Sequence, residues 1–340
     1  MSIRVVLNWD NKNEEFHLIK NLKKNNYTVF QYSLDNFNPV KFKSLKGKLE
    51  LFYKYFLGAY KAVIESKNGD VLIGTNFHVG ALISILCLIL RKKNKVIGFN
   101  LILNDKSWFV NKVRGFFLYF TFMNKNFYTT INNNYLIDLY SKYFIKIIPK
   151  ERFFILKDHY INPKNLEESK EDKNYVFTGG ENSRDWDTLF KAAKILPNIS
   201  FICVARKRLF PKIGVPGNVQ MYFDISYIKF IDFLKKSSIV AMPLLSEGPA
   251  GLLVIFDATF LGKPIITTNT IITANYIQNN ESGVLIKNKD YRSLAKNIQD
   301  LIKDKEKSKK FSKKLKNKLE NEYSAESYAD KVLNIIKSVK

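Results

Sequence analysis

Residues 243–267 (PLLSEGPAGLLVIFDATFLGKPIIT) have residue types and spacing that suit chemistry. A strand ending at Met242 is predicted to lead through a loop containing Gly248 and Gly251 into an apolar helix that begins at Leu252. The first amides of a helix have no partner inside it, and they point outward with the positive end of the helix dipole. Because glycine lets the backbone approach a ligand closely, this loop is expected to bind an anion such as phosphate.

A carboxylate follows the proposed anion site on the same helix. Asp257 lies six residues after Gly251, which is within two helical turns. At that distance its oxygens can accept hydrogen bonds from the hydroxyls of a ribose. The alternative is an ordinary strand, loop and helix in which Asp257 faces solvent.

Two further predicted strands also end in residues that suit an anion. The first strand leads through Gly179 and Gly180 to a helix start with Arg184, and the second is followed at once by Arg206 and Lys207. Ligands of parallel α/β sheets bind beyond the carboxyl ends of the strands. Glycine-rich backbone, fixed cations and a carboxylate at three such ends together suit a nucleotide diphosphate.

Short apolar runs and longer amphipathic runs alternate along the whole chain. The first half has predicted strands at 4–7, 27–32, 71–74, 95–99, 127–131 and 152–156, with helices at 14–24, 49–66, 79–90, 106–123 and 135–144. The second half has predicted strands at 175–178, 200–205, 219–222, 239–242, 264–267 and 284–286, with helices at 186–196, 227–236, 252–261, 273–278 and 291–303. Alternation of this kind predicts α/β domains with parallel sheets covered on both faces.

A polar segment divides the alternating pattern into two halves. Residues 162–174 carry a proline and no apolar period, which is typical of a linker. We therefore predict an N-terminal Rossmann-like domain at 1–161, a linker at 162–174 and a second Rossmann-like domain at 175–322, followed by a closing segment at 323–340. The natural place for a ligand in two doubly wound domains is the cleft between them.

Composition restricts the class of protein further. The chain has 340 residues, 46% of them hydrophobic, and a formal net charge of +24. No apolar run is long enough to span a bilayer, no signal peptide is apparent, and the two cysteines lie in apolar segments, so we expect a cytoplasmic protein without a cysteine-based metal site. The charge is compatible with nucleic acid, an anionic membrane face or compositional drift, but no nucleic-acid-binding motif is present. Nine lysines between residues 303 and 318 are typical of a solvated helix face.

Four motifs follow one another in the second half: FTGGENSRDWDTLFKA at 177–192, MPLLSEGPAGLLVIFDATFLGKPIITT at 242–268, NNESGVLI at 279–286 and the closing run YSAESYADKVLNII at 323–336. With these motifs the second half resembles the retaining GT-B glycosyltransferases of group 1 type. The resemblance covers residues 175–340 in order and spacing, while the first half agrees in architecture alone. The resemblance implies a GT-B fold, two Rossmann-like domains facing across a cleft, with the closing helix crossing back to the N-terminal domain.

The family has two glutamates with seven residues between them, one near the donor sugar and one on the ribose. Glu247 matches the first and Asp257 the second, although nine residues separate them here and the second acid is aspartate. Either the loop is two residues longer, or Gly251 alone marks the phosphate turn. The two basic diphosphate ligands of the family fall on Arg184 and on Arg206 or Lys207.

The resemblance implies transfer of a sugar from a nucleotide-diphosphate donor, with retention of configuration, onto a glycan or lipid-linked glycan in surface polysaccharide assembly. Charge grows on the leaving group as the anomeric bond breaks, and a helix N-terminus with basic side chains can stabilise it without a metal ion. No Asp-x-Asp triplet suits a metal, so we expect no metal or other cofactor. Catalytic roles are predicted for Arg184, Lys207 and Glu247, and donor contacts for Gly179, Gly180, Arg206, Gly248, Gly251, Leu252 and Asp257.

The first half is expected to hold the acceptor. His78, Asn104, Asp105 and Trp108 follow predicted strands and are candidates for its binding site. The helix at 106–123 combines aromatic and basic residues, which suits either a membrane interface or the packing of a core. An interfacial helix would make a lipid-linked acceptor natural and place the protein at the inner face of the cell membrane.

Two other classes of function remain open from the sequence. A nucleotide-sugar epimerase or hydrolase can share this two-domain plan, but it needs an acid and base pair in the cleft, for which there are few candidates. A non-catalytic protein that binds nucleic acid or anionic membrane rests on net charge alone.

Overall fold

The computed structural model describes residues 2–7, 16–33, 44–103, 107–160, 172–211, 213–245, 247–248 and 250–339. They form two compact units. The N-terminal unit comprises the described residues up to 158 together with 325–339, and the C-terminal unit comprises those from 159 to 324. Of the predicted linker at 162–174, residues 162–171 lie outside the described residues.

The N-terminal unit contains a six-stranded parallel sheet. Its strands are β1 (Ser2–Val6), β2 (Thr28–Tyr32), β3 (Val71–Gly74), β4 (Lys95–Gly98), β5 (Phe127–Ile131) and β6 (Phe153–Ile155), in the order β2-β1-β3-β4-β5-β6. The helices are α1 (His17–Lys24), α2 (Leu45–Ile64), α3 (Phe77–Ile89), α4 (Trp108–Met123) and α5 (Tyr135–Ser141). The strand order changes direction between β1 and β3.

The C-terminal unit repeats this architecture with a different strand order. Its strands are β7 (Tyr175–Gly179), β8 (Ser200–Ala205), β9 (Val219–Phe223), β10 (Ile239–Met242), β11 (Ile265–Thr268) and β12 (Val284–Ile286), in the order β12-β11-β10-β7-β8-β9. Its helices are α6 (Trp186–Ile195), α7 (Tyr227–Lys236), α8 (Leu252–Phe260), α9 (Thr273–Tyr276), α10 (Tyr291–Lys303) and α11 (Lys305–Glu322). The order changes direction between β10 and β7, and ligands of open α/β sheets bind at such a switch point.

Each unit has its own apolar core, as a parallel sheet covered on both faces requires. Every residue of the central strands β3 and β10 is buried. The last helix, α12 (Ala325–Ser338), packs against α1 and completes the core of the N-terminal unit with side chains such as Val332 and Ile336.

The predicted α/β class with two doubly wound parallel sheets is confirmed. The bounds of β3, β5, β8, β10, β12, α7 and α10 agree with the prediction to the residue. The predicted starts of two helices are wrong. Helix α3 begins at Phe77 rather than 79 because the Asn76 side chain caps it by accepting from the Val79 amide at 2.8 Å, and α2 begins at Leu45 rather than 49 because Ser44 caps it.

Among the described residues, no helix is both long enough and apolar enough to cross a bilayer.

Candidate functional site

The loops that follow β7 and β10 lie side by side at the switch point of the C-terminal sheet. The Asp185 amide donates to the carbonyl of Pro243, and the Leu245 amide donates to the carbonyl of Ser183, each at 2.9 Å. Between these bonds Arg184 forms an antiparallel bridge with Leu244. Backbone hydrogen bonds therefore fix the two loops relative to each other.

The Arg184 side chain places a buried positive charge at these two paired loops. Its side chain is 7% exposed, its Nε donates to the carbonyl of Gly179 at 2.7 Å, and its Nη1 donates to the carbonyl of Asn182 at 2.8 Å. Burial lowers the pKa of the guanidinium to about 10, so it stays charged at neutral pH. No carboxylate of the described residues forms an ion pair with it. The arrangement leaves a fixed cation available to an anion.

Two glycines with left-handed backbone lie against the Arg184 guanidinium. Gly180 has φ +123°, and a Cβ at this position would overlap the guanidinium group. Gly251 has φ +81°, and a Cβ there would lie 2.6 Å from Cε of Met242 and 3.7 Å from Nη1 of Arg184. Both positions require glycine for conformation and for space. The structure thus brings Gly180, Arg184 and Gly251 together, although they come from two loops.

Helix α8 begins directly after Gly251, and no side chain of the described residues caps its first amides. By contrast, Asp185 caps α6 by accepting from the Thr188 amide at 3.0 Å, and Ser226 caps α7. The unpaired amides at the start of α8 and the positive end of its dipole lie beside the Arg184 guanidinium. Arginine and helix terminus together can hold a doubly charged phosphate group.

Asp257 lies on the second turn of α8 and is 8% exposed. Its Oδ1 accepts a hydrogen bond from the Tyr227 hydroxyl at 3.1 Å. Burial raises the pKa of Asp257 to about 6, and burial next to this carboxylate raises the pKa of Tyr227 to about 12. The alternative in which Asp257 faces solvent is wrong.

Tyr227 and Thr178 belong to this region and were missed by the sequence analysis. Tyr227 is the first residue of α7, and Thr178 precedes Gly179 at the end of β7, with a buried hydroxyl that has no partner among the described residues. Their positions in the sequence could have identified them. Tyr227 follows a strand and Thr178 lies at the end of one, and the carboxyl ends of these strands share one edge of the sheet.

Arg206 and Lys207 lie beyond the end of β8 in a different environment. The Arg206 Nε forms a 2.5 Å ion pair with Oε1 of Glu181, and its Nη1 lies 3.7 Å from Oδ1 of Asp224. The hydrogen bond with Glu181 raises the pKa of Arg206. Lys207 is exposed, and its backbone amide donates to Asp224 at 3.4 Å. Two acids therefore balance the charge of Arg206, in contrast to Arg184.

Residues 167–318, most of the C-terminal unit, match the family of glycosyl transferases group 1. The C-terminal unit of this chain therefore carries a glycosyltransferase domain. No curated protein sequence matches the chain.

Solved structures share the fold of this glycosyltransferase at low sequence identity. Anabaena Alr3699/HepE in complex with UDP and glucose is 14% identical, with a TM-score of 0.64 over 99% of this chain and 100% of that one. Sucrose-phosphate synthase from Thermosynechococcus elongatus is 12% identical, with a TM-score of 0.69 over 100% and 99%. A TarM variant from S. aureus in complex with fondaparinux, alpha-GlcNAc-glycerol and UDP is 14% identical, with a TM-score of 0.58 over 84% and 59%. The predicted GT-B fold is confirmed.

Glu247 of the glycosyltransferase lies in the loop between β10 and α8. Its side chain is exposed, and its Oε2 accepts a hydrogen bond from the Ile271 amide at 2.8 Å. This bond connects the loop after β10 with the segment after β11. Gly248 beside it is half-buried. Glu247 is therefore anchored at the same edge of the sheet as Arg184, without a contact to that side chain.

The residues predicted for acceptor binding lie in the N-terminal unit. His78 is the second residue of α3, and its pKa is lowered because neighbouring atoms displace water and Arg114 lies close. Trp108 begins α4 and is 75% exposed. Asn104 and Asp105 lie outside the described residues.

Proposed function

We propose that this glycosyltransferase transfers a sugar from a UDP-sugar donor onto a glycan or lipid-linked glycan, with the diphosphate bound between the loops after β7 and β10. The observation that carries the proposal is the buried Arg184 guanidinium, which lies beside the uncapped start of α8 and has no carboxylate partner among the described residues. A diphosphate supplies the negative charge that this site lacks.

The ribose fits the second turn of α8. A diphosphate at the start of the helix leaves the ribose near Asp257, whose second carboxylate oxygen, Oδ2, can accept from a sugar hydroxyl while Oδ1 accepts from Tyr227. A buried carboxylate gains the most from such donors because water does not compete for it. Asp257 therefore takes the place of the family's ribose-binding glutamate.

The chemistry assigned to the site is stabilisation of the leaving diphosphate. As the anomeric bond breaks, negative charge grows on the phosphate oxygen next to Arg184, and fixed donors that need no rearrangement lower that barrier. Arg184 and the α8 amides supply the compensating positive charge themselves, so the proposed reaction needs no metal ion. Lys207 adds a second, exposed cation, Glu247 orients the sugar, and transfer proceeds with retention of configuration.

The choice of UDP and of a glycan acceptor draws on the structures that share the fold. Alr3699/HepE binds UDP-glucose, and the TarM variant was solved with UDP and the glycan fondaparinux. The acceptor is proposed to lie against the N-terminal unit near His78 and Trp108, and assembly of a surface polysaccharide is the proposed role.

A donor screen tests this function. UDP-, GDP-, CMP- and ADP-sugars are titrated by calorimetry, and the ligands that bind are then incubated with a membrane-lipid fraction as acceptor. We expect a UDP-sugar to bind and its sugar to appear on lipid-linked glycan only when acceptor is added. Release of free sugar without acceptor would instead indicate a hydrolase, and binding of none of these donors would refute the proposal.

A further inference from the structure

Helix α4 of the N-terminal unit presents an apolar stripe to solvent. Phe109, Val113, Phe116, Phe120 and Met123 follow one another at intervals of three and four residues, and each is between 45% and 67% exposed. That spacing places them on one side of the helix. The opposite side, with Leu118 and Phe122, is buried in the unit. Core packing therefore accounts for one side of α4 and leaves the other without a partner among the residues that the structure describes.

A second helix repeats this pattern. On α2, Leu49, Tyr53, Phe56, Tyr60 and Ile64 are spaced by three or four residues and are between 36% and 64% exposed. Helices α2 and α4 both pack against α3, which is itself mostly buried. Exposed apolar side chains on this scale mark an interaction surface. We call the two stripes and Trp108 the apolar face.

The charge around the α4 stripe is strongly positive. Residues 108–152 contain seven basic and two acidic residues, and α4 itself has no acidic residue. Lys112 and Arg114 lie on α4, and Lys146 lies on the segment after α5 beside Ile147, which is 98% exposed. A partner for this region must accept apolar side chains and supply negative charge.

An apolar pocket continues the surface at the end of α4. It has a volume of about 290 Å³ and is lined by Leu118, Phe122 and Met123 of α4 and by Ile147, together with the basic residues Lys146 and Arg152. Apolar walls combined with basic side chains suit an amphiphilic ligand whose headgroup is anionic. This feature favours lipid over a second copy of the chain, because two such basic surfaces would repel each other.

We propose that the apolar face docks onto an anionic lipid bilayer, with α4 lying in the plane of the interface. Trp108 and the phenylalanines enter the headgroup region, and Lys112 and Lys146 contact anionic headgroups. This is binding to the surface rather than insertion across it, since α4 has 16 residues. The proposal does not depend on the donor site, and either can fail without the other.

Vesicle flotation of the full chain tests the docking. We expect binding to vesicles of phosphatidylcholine with phosphatidylglycerol, and much weaker binding to phosphatidylcholine alone or at high salt. The double variant Phe116→Asp, Phe120→Asp is expected to lower partitioning at least about tenfold. Ile195→Asp is the matched control, because Ile195 is a 50% exposed apolar residue of the C-terminal unit; it should leave partitioning unchanged.

Two further measurements keep the result unambiguous. The double charge reversal Lys112→Glu, Lys146→Glu leaves the apolar stripe intact and should also abolish the preference for anionic lipid. A blue shift of tryptophan fluorescence on vesicles should disappear in Trp108→Phe. Equal partitioning of the wild type and the stripe variant Phe116→Asp, Phe120→Asp would overturn the proposal. It would also be overturned if light scattering showed that the wild type is a dimer that does not bind vesicles, and that the stripe variant is a monomer.

Discussion

Arg184 is buried and, among the described residues, hydrogen-bonded only to backbone carbonyls, an arrangement that costs free energy while no anion is present. A guanidinium can be kept in such a position when an anion of the ligand supplies the missing charge. Arg206 shows the contrasting arrangement, because Glu181 and Asp224 balance its charge at the surface. Both arginines follow strands of the C-terminal sheet, yet only Arg206 has acidic partners among the described residues. We therefore assign anion binding to Arg184.

Asp257 offers a test in which binding and stability change in opposite directions. Its pKa in the folded protein is about 6, against 3.8 for an unperturbed aspartate, so the folded state holds the proton more tightly. The stabilising contribution is present below about pH 4 and is lost as the pH rises through about 6. Asp257→Asn should therefore raise the free energy of unfolding at pH 7.5 by about 1–3 kcal/mol, with little change at pH 4.

Urea unfolding followed by Trp186 fluorescence, with Trp9 and Trp108 replaced by Phe, measures this difference within the C-terminal unit. The same Asp257→Asn substitution should weaken UDP-glucose binding at pH 7.5. A variant that loses stability at pH 7.5 would make Asp257 a structural residue.

Binding of the donor should depend on pH through the same carboxylate. UDP-glucose is the appropriate ligand because its phosphodiester groups do not titrate between pH 5 and 8, unlike the terminal phosphate of UDP. As the pH falls through about 6, Asp257 becomes protonated and loses an acceptor for the ribose, so affinity should fall. Calorimetry at pH 5 and 7.5 measures the effect, with Asp257→Asn as control. A pH dependence that persists in this variant would assign it to another group.

The loops after β7 and β10 work as one element, and their glycines are the sensitive points. Gly180→Ala would displace the Arg184 guanidinium, and Gly251→Ala would strain a left-handed residue against Met242 at the start of α8. Each should cost about 1–3 kcal/mol of stability and lower UDP affinity at least about tenfold. Thermal unfolding and calorimetry on the same samples measure both effects.

Gly214 and Gly217 provide matched controls for these substitutions. Both belong to the C-terminal unit and neither has a left-handed backbone. Apart from their chain neighbours, no heavy atom of the described residues lies within 4 Å of a Cβ built there. Alanine at either position should leave stability and UDP affinity near wild type. If Gly180→Ala and Gly251→Ala behaved like these controls, the paired loops would not form the donor site.

Most helices and strands could be predicted from the sequence, because the strands are apolar runs and the helices repeat polar and apolar residues with the helical period. The predicted bounds of strand β10 and helix α7 agree with the structure to the residue. Helix α8 and its glycine turn were also evident in the sequence, because Gly and the following apolar run are local signals. Helix starts were less accurate where a cap such as Asn76 precedes the apolar pattern.

Side-chain partners were not predictable, because they depend on the order of strands in the sheet. Tyr227 and Asp257 are 30 residues apart, and Arg206 and Glu181 are 25 apart. Each pair forms because β7 lies between β10 and β8, an order that no local pattern encodes. For the same reason the sequence indicated that Arg184 was a cation but could not show that it was buried without an acid.

At the scale of the whole molecule, the last helix ties the end of the chain to its first domain. Ile336 of α12 is fully buried in the core of the N-terminal unit. Ile336→Ala should destabilise that unit by about 2–5 kcal/mol because it leaves a cavity. UDP binding by the C-terminal unit should remain close to wild type. Limited proteolysis, with fragments identified by mass, should show earlier cleavage within residues 16–158 and a preserved fragment from 172 to 324. Preferential loss of the C-terminal unit would contradict this assignment of α12.

The central claim is that Arg184 and the start of α8 bind the diphosphate of the donor, and one calorimetric comparison tests it most directly. UDP is titrated into the wild type, Arg184→Gln and Arg206→Gln at one pH and salt concentration. Removal of a charge-assisted bond to a buried anion should weaken binding at least about tenfold in Arg184→Gln. Arg206→Gln should stay within about threefold, because exposed ion pairs contribute little. Unchanged UDP affinity in a folded Arg184→Gln variant would contradict the account.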